Sequence, residues 1–169
     1  MNYFELFEIP VHLKVDADEL SEKFFMLSRR YHPDYFINAP YEKQAEALEI
    51  SAQLNKAFKT FKNEDETIRY VLQLKGLLED EEKYQLPQDF LMEVLEINEQ
   101  LMDAEDDPEL RKNLQHTIDN LQLQIYEPVK KIIENYQEGV TSEEELLQVK
   151  EYYYKKKYLD RLKRELSIV

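Results

Sequence analysis

The spacing of apolar residues constrains the fold of this 169-residue chain more than any other feature. Apolar residues recur every three or four positions in almost every segment, which is the period of one face of an α-helix. No segment alternates apolar and polar residues for long enough to indicate a β-strand. The sequence therefore predicts an all-α protein.

The first two predicted helices are marked by their N-caps. Asn2 caps a short helix that Pro10 ends. Asp16, with Glu19 three residues later, is a capping-box pattern that opens a second helix, and Pro33 ends this helix. The second helix carries one buried stripe, made of Leu20, Phe24, Leu27 and Tyr31.

Two further helices complete the first half of the chain. One spans residues 41–62, and its length allows an antiparallel hairpin with the second helix. The other spans residues 64–74 and stops at Gly76, which suits the left-handed conformation of a C′ position. An acidic stretch then follows, and it is interpreted as a linker.

The second half contains three predicted helices, which we expect to pack as a bundle. They cover residues 88–105, 108–138 and 142–168. Pro87 and Pro108 suit the first turns of two of them, and Thr141 with Glu144 forms a capping box for the last. Pro128 predicts a kink or local break of the middle helix at residues 124–127.

The charge is distributed unevenly over the predicted domains, which are residues 1–75, a linker at 76–86, and residues 87–169. The chain has 22 basic and 36 acidic residues, a net charge of −14. Residues 1–75 hold 10 basic and 13 acidic residues, so most of the excess acid lies beyond them. Such a chain repels nucleic acid and anionic lipid, and a basic partner surface is favoured.

Several functional classes are excluded by composition. Two glycines, 63 positions apart, cannot form a phosphate-binding loop, and the absence of cysteine removes disulfides, thiolate catalysis and thiolate ligands. The three histidines lie in separate elements without the spacing of metal sites. We expect no enzymatic activity, no metal and no cofactor. Without a signal segment or a membrane-spanning apolar run, a cytoplasmic protein is expected.

The segment 152–158 (YYYKKKY) offers an alternative function, because basic and aromatic residues together are typical of nucleic-acid binding. The acidity of its domain and a helical spacing that buries some of its rings favour a structural role instead. We therefore expect no nucleic-acid partner and no membrane partner.

The sequence Tyr31-His32-Pro33-Asp34 lies between the two helices of the predicted hairpin. Pro33 fixes φ and forces a turn, Asp34 supplies a short acceptor, and His32 places an imidazole at an exposed helix end. Alone, such a tripeptide is most often a simple helix terminus. With matching helices on both sides, it resembles the signature loop of J-domain co-chaperones. The resemblance implies a loop that docks on a DnaK-type chaperone and stimulates its ATPase.

Five stretches in both domains carry a closer resemblance. They are residues 3–7 (YFELF), 31–36 (YHPDYF), 51–58 (SAQLNKAF), 70–76 (YVLQLKG) and 90–93 (FLME). In this order they resemble the HscB family, the J-domain co-chaperones of iron–sulfur cluster assembly, over nearly the whole chain. The resemblance implies an L-shaped protein that binds an IscU-type scaffold protein and delivers it to an HscA-type or DnaK-type chaperone.

A cationic face accompanies the loop. Lys23, Arg29 and Arg30 lie on the second helix away from its buried stripe, and such a face favours an acidic partner. A solvated face without a partner is the simpler alternative. The J-domain resemblance implies that these three residues contact the chaperone together with the loop.

The helix predicted at residues 88–105 has three stripes. The bundle core receives Phe90, Val94, Ile97 and Leu101, and the next stripe holds Leu91, Leu95 and Met102. The third stripe, mostly acidic, holds Met92, Glu96, Glu99 and Asp103. An apolar strip bordered by carboxylates is a candidate binding surface, although periodicity alone equally allows Leu91 and Leu95 to be core residues.

The HscB resemblance assigns scaffold binding to this helix and to an aromatic residue of the last helix. The matching positions are Leu91, Met92, Leu95, Glu96, Glu99, Asp103 and Tyr158. We therefore expect a co-chaperone without catalysis of its own. A J-domain protein with another client and a purely structural helical adaptor are the alternatives.

Overall fold

The computed structural model describes residues 1–168, and this range contains helices and turns but no strand. The all-α prediction is confirmed. The chain divides into two compact units. The first consists of residues 1–75 together with Tyr136–Thr141, and the second consists of residues 76–135 together with those from Ser142 onward.

The first unit is built on a helical hairpin. Its helices are α1 (Tyr3–Phe7), α2 (Ala17–Arg30), α3 (Tyr41–Lys62) and α4 (Glu64–Leu74). α2 packs against α3, and the rings of Phe24 and Phe58 stack between them with centroids 4.0 Å apart. A 3-10 turn at Pro33–Phe36 lies in the connection between the two helices.

Aromatic packing fastens α1 and α4 to this hairpin. Phe61 is buried and lies against Phe4, with ring centroids 4.7 Å apart. Tyr3 stacks on Tyr70 at 4.5 Å, and the Tyr3 N–H donates to the Tyr70 hydroxyl. Because aromatic side chains bury large areas, these contacts provide much of the apolar core of the first unit.

Some helix ends of the first unit lie where the sequence predicts them, and others differ from the prediction. Asn2 caps α1 in a complete capping box, and Gly76 has the predicted left-handed backbone with φ +71°. The prediction that Pro10 ends α1 is wrong, because Glu8 already ends it with φ 56°. Asp16 caps α2 as predicted, but its side chain accepts from the N–H of Asp18, so the box with Glu19 is not what holds this end.

Residues 136–141, although late in the sequence, contribute to the first unit. Tyr136 is buried, and its ring packs edge-to-face with that of His12, with centroids 6.1 Å apart. The Tyr136 hydroxyl donates to Glu138, which also accepts from the ammonium of Lys75. These hydrogen bonds, that of Lys75 above all, lower the pKa of Glu138. The segment is therefore held by both apolar and charged contacts.

The second unit is a helical bundle. Its helices are α5 (Gln88–Gln100), α6 (Pro108–Tyr126), α7 (Lys130–Glu134) and α8 (Glu143–Ile168). α8 packs against both α5 and α6. Fully buried side chains of the three long helices, such as Val94, Ile118 and Leu159, form its core.

Three predicted boundaries of the second half are wrong. The helix expected at 108–138 ends at Glu134. The local break that Pro128 predicts is confirmed as a 3-10 turn at Glu127–Val129, which meets the predicted residues 124–127 only at Glu127 because the α-helix before it continues to Tyr126. The last helix is capped one residue later than expected, by Ser142 with Glu145. α5 ends at Gln100, five residues short of its predicted end.

Candidate functional site

The His-Pro-Asp sequence forms a capped, exposed turn in the first unit. His32 is the N-cap of the 3-10 turn, and its Nδ1 accepts a hydrogen bond from the Asp34 N–H at 3.2 Å. An imidazole that accepts at Nδ1 carries its proton at Nε2, so the ring can act as a donor there. The Asp34 Oδ2 lies 3.6 Å from the same Nδ1, and both side chains are exposed. Pro33 opens the turn with its fixed φ.

A recess of about 450 Å³ adjoins this turn. It is lined by Phe25, Ser28, Arg29, His32, Asp34 and Tyr35. Sequence reasoning missed Phe25 and Tyr35, which are 64% and 70% exposed. The sequence already indicated that Phe25 is exposed, since it lies outside the predicted buried stripe of α2. The loop therefore offers apolar as well as polar contacts to a partner.

The three predicted cations of α2 differ in their surroundings. The Arg29 guanidinium lies 5.4 Å from the centre of the Phe25 ring, a cation–π contact at the edge of the recess. The Arg30 side chain pairs with Glu8 at 3.4 Å. Lys23 is half-buried and forms no ion pair among residues 1–168. Of the three, Arg29 is the one that the structure brings to the His-Pro-Asp turn.

The α5 side chains of the candidate surface are exposed. Phe90, Val94 and Ile97 are buried, as the predicted core stripe requires. By contrast, Leu91 is 40% exposed and Leu95 is 54% exposed, so neither is a core residue. Apolar side chains in this position leave a strip of the second unit available to a partner.

The remaining members of the predicted surface follow the strip around α5. Met92 is 59% exposed, and Glu96 and Glu99 are exposed beside it. Asp103, which was expected on the same helix, instead begins a 3-10 turn beyond the end of α5. The acidic border is thus continuous on α5 and passes into the turn.

Leu91 and Tyr158 both line a groove of about 670 Å³ in the second unit. The groove lies between α5, α8 and the segment before α5. Met92, Leu95, Glu96 and the acidic turn are not part of its lining. The predicted surface therefore has two parts, a groove at Leu91 and Tyr158 and an exposed apolar and acidic strip along α5.

Among residues 1–168, no group of three or more His, Asp or Glu side chains is arranged to hold a metal ion. No helix in that range has the length and apolarity needed to span a bilayer.

Together, the helical hairpin with its His-Pro-Asp turn and the helical bundle define a J-domain co-chaperone. A sequence profile described as "HSCB C-terminal oligomerisation domain" matches residues 86–167. The chain is 33% identical over 169 residues to "Co-chaperone protein HscB" of Buchnera aphidicola, covering 99% of this chain and 97% of that protein. This chain belongs to the HscB family of co-chaperones.

Further comparisons agree with this family. "Co-chaperone protein HscB homolog" of Vibrio cholerae is 40% identical over 103 residues, a match that spans 60% of each chain. The solved structure "Chaperone HscB from Vibrio cholerae" superimposes with a TM-score of 0.72 at 29% identity, covering 99% of this chain and 96% of that one. "Crystal structure of human co-chaperone protein HscB" gives a TM-score of 0.78 at 25% identity, with 99% and 81% covered.

Proposed function

We propose that this co-chaperone binds an IscU-type iron–sulfur scaffold protein and delivers it to an HscA-type or DnaK-type chaperone. In the same complex it stimulates the ATPase of that chaperone and performs no catalysis itself. Residues 1–75 act as the J-domain, residues 76–86 as the linker, and residues 87–169, apart from the segment 136–141 that packs with the first unit, as the client-binding bundle. The proposed location is the cytoplasm.

The observation that carries the chaperone part of the proposal is the His-Pro-Asp turn. The His32 Nδ1 accepts from the Asp34 N–H, and this bond orients an exposed imidazole at the end of α2. The turn presents one donor, at His32 Nε2, and one carboxylate, on Asp34, side by side on the surface. The hydrogen bond to His32 preorganises the ring and the backbone of the turn, which therefore lose little conformational freedom on binding.

The cation and the apolar side chains beside the turn support docking on an acidic chaperone surface with an apolar component. Arg29 supplies the charge, and Phe25 and Tyr35 supply exposed aromatic area. Docking of these groups preferentially on the hydrolysing state of the chaperone would shift its population toward that state. Client arrival would thereby be coupled to ATP turnover.

The client part of the proposal depends on the exposed strip of α5. Leu91, Met92 and Leu95 offer apolar area, Glu96, Glu99 and Asp103 border it, and Tyr158 lies across the groove. This arrangement, an apolar centre with a charged rim, is typical of protein interfaces.

The experiment is a single-turnover ATPase assay of the chaperone with and without the scaffold protein. His32→Gln should abolish the stimulation, because the amide can accept from the Asp34 N–H but its own N–H groups, on a flexible chain, do not lie where the rigid imidazole places its Nε2–H. The matched control is His116→Gln, which changes an exposed histidine of α6 in the second unit. Undiminished stimulation by His32→Gln would overturn the proposal that this is a working J-domain.

A further inference from the structure

The groove at Leu91 and Tyr158 is lined by cations in the acidic half of the chain. Four of its lining residues are basic, namely Lys83, Lys157, Arg161 and Arg164. Residues 76–169 contain 12 basic and 23 acidic residues, so this concentration runs against their overall charge. Cations gathered in a groove raise the local concentration of anionic partners.

These cations are mostly not neutralised by the protein itself. Glu82 is the one carboxylate in the described lining, and it pairs with Lys150 at 2.6 Å. This hydrogen bond, together with that from the Glu79 N–H, lowers the pKa of Glu82, which favours its carboxylate form. Arg161 contacts Glu165 at 3.4 Å. The other three lining cations form no ion pair within residues 1–168.

The groove also has an aromatic and apolar wall. Tyr84 stacks on Tyr154 with centroids 4.6 Å apart and nearly parallel planes. Tyr158 and Leu91 continue this wall toward α5. A stacked pair is rigid, so an apolar side chain of a partner can be buried on it with little cost in conformational entropy.

We propose that the groove binds an extended segment of the client protein in which carboxylates flank an apolar side chain. The carboxylates meet Lys83, Lys157 and Arg164, and the apolar side chain lies on Leu91 and the tyrosines. The proposal rests on the proposed function, because the groove shares Leu91 and Tyr158 with the client face. It adds the chemistry of the segment that the client supplies and the residues that select it.

A peptide fits this groove better than a nucleic acid, despite the tyrosine and lysine run of α8. Within that run, Lys155 pairs with Glu151 and Lys156 pairs with Asp160, which leaves Lys157 as the lysine that lines the groove. A chain of net charge −14 repels a long polyanion, whereas a short acidic segment interacts mainly with the local cations.

The test uses a fluorescein-labelled synthetic peptide with glutamates on both sides of a central phenylalanine, followed by fluorescence anisotropy on the full chain. Peptides with lysine in place of glutamate, or serine in place of phenylalanine, should bind much more weakly. Lys157→Gln with Arg164→Gln should reduce the affinity about tenfold, and added salt should do the same. The matched control is Lys130→Gln with Lys131→Gln, two exposed cations of α7 outside the groove, which should leave the affinity unchanged.

Several outcomes would overturn the proposal. They are no binding of the acidic peptide, equal loss in the groove and control variants, and binding of a single-stranded oligonucleotide as tightly as the peptide. A further outcome is that the chain associates with itself in a salt-sensitive way and that Lys157→Gln with Arg164→Gln abolishes this association. The groove would then bind a second copy of this chain instead of a client segment.

A scaffold-binding measurement on the same variants separates this proposal from the proposed function. If the scaffold binds the wild type and the Lys157→Gln, Arg164→Gln variant equally, client binding stands and the groove proposal fails. If the scaffold does not bind the wild type, the proposed function fails, whatever the peptides do.

Discussion

The exposed leucines of α5 allow a quantitative prediction for client binding. Leu91 is 40% exposed and Leu95 is 54% exposed, so together they offer almost one complete leucine side chain to a partner. Burying one complete leucine side chain contributes about 1.5–3 kcal/mol. Alanine retains the β-carbon, so Leu91→Ala with Leu95→Ala should weaken scaffold binding by about 1–2.5 kcal/mol, or about 5-fold to 60-fold in Kd.

A second pair of leucines supplies the matched control. Leu123 and Leu147 belong to the same unit, are 69% and 45% exposed, and do not line the groove at Leu91 and Tyr158. Their double alanine variant removes the same atoms from a similar degree of exposure. It should bind the scaffold as the wild type does.

Isothermal titration calorimetry with the scaffold protein measures the affinities, and urea unfolding of each variant shows whether the bundle remains folded. Both double variants should lose a similar, modest part of their free energy of unfolding, because all four leucines are partly buried. A Kd change below about twofold for the α5 variant, or an equal change in the control, would refute the assignment of the client face.

Three further predictions concern the first unit and Gly76, the residue that follows it in the chain. Thr67→Val removes the hydroxyl that donates to the Asn63 carbonyl at 2.9 Å and should lower the free energy of unfolding in urea by about 1 kcal/mol; an unchanged midpoint would contradict this. Burial lowers the pKa of His12 below its usual 6.5, so the unfolded chain binds the proton first and the urea midpoint should fall as the pH drops below about 6.5. His12→Gln should flatten that profile, and an equally steep one would count against it. Gly76→Ala meets no atom within 4 Å and should cost only the left-handed backbone penalty, about 1 kcal/mol by urea titration; a loss several times larger would reveal a clash.

The parts of the fold that depend on one helical turn were predictable from the sequence. Asn2 and Gly76 take their predicted capping roles, because the cap involves only residues three or four positions away. The start of α8 shows the limit of this reasoning. Both Thr141 with Glu144 and Ser142 with Glu145 match the capping-box pattern, and the tertiary structure selects the second.

Features that depend on packing between helices were harder to predict from the sequence. Periodicity showed that Leu91 and Leu95 lie away from the core stripe, but not that the neighbouring helices leave them exposed. The cationic groove was missed, because it needs residues before α5 as well as α8. The last helix did contain a signal for the groove, because Tyr154, Tyr158 and Arg161 are spaced by four and three residues and therefore lie on one helix face.

The late segment at residues 136–141 has a consequence for biosynthesis. Lys75 and its partner Glu138 are 63 residues apart in sequence, and Tyr136 must reach His12 near the start of the chain. Domains commonly fold during synthesis, in the order in which they leave the ribosome. The first unit cannot acquire its last buried tyrosine until α5, α6 and α7 have been translated. During that interval the nascent His-Pro-Asp hairpin would be present before its own unit is complete.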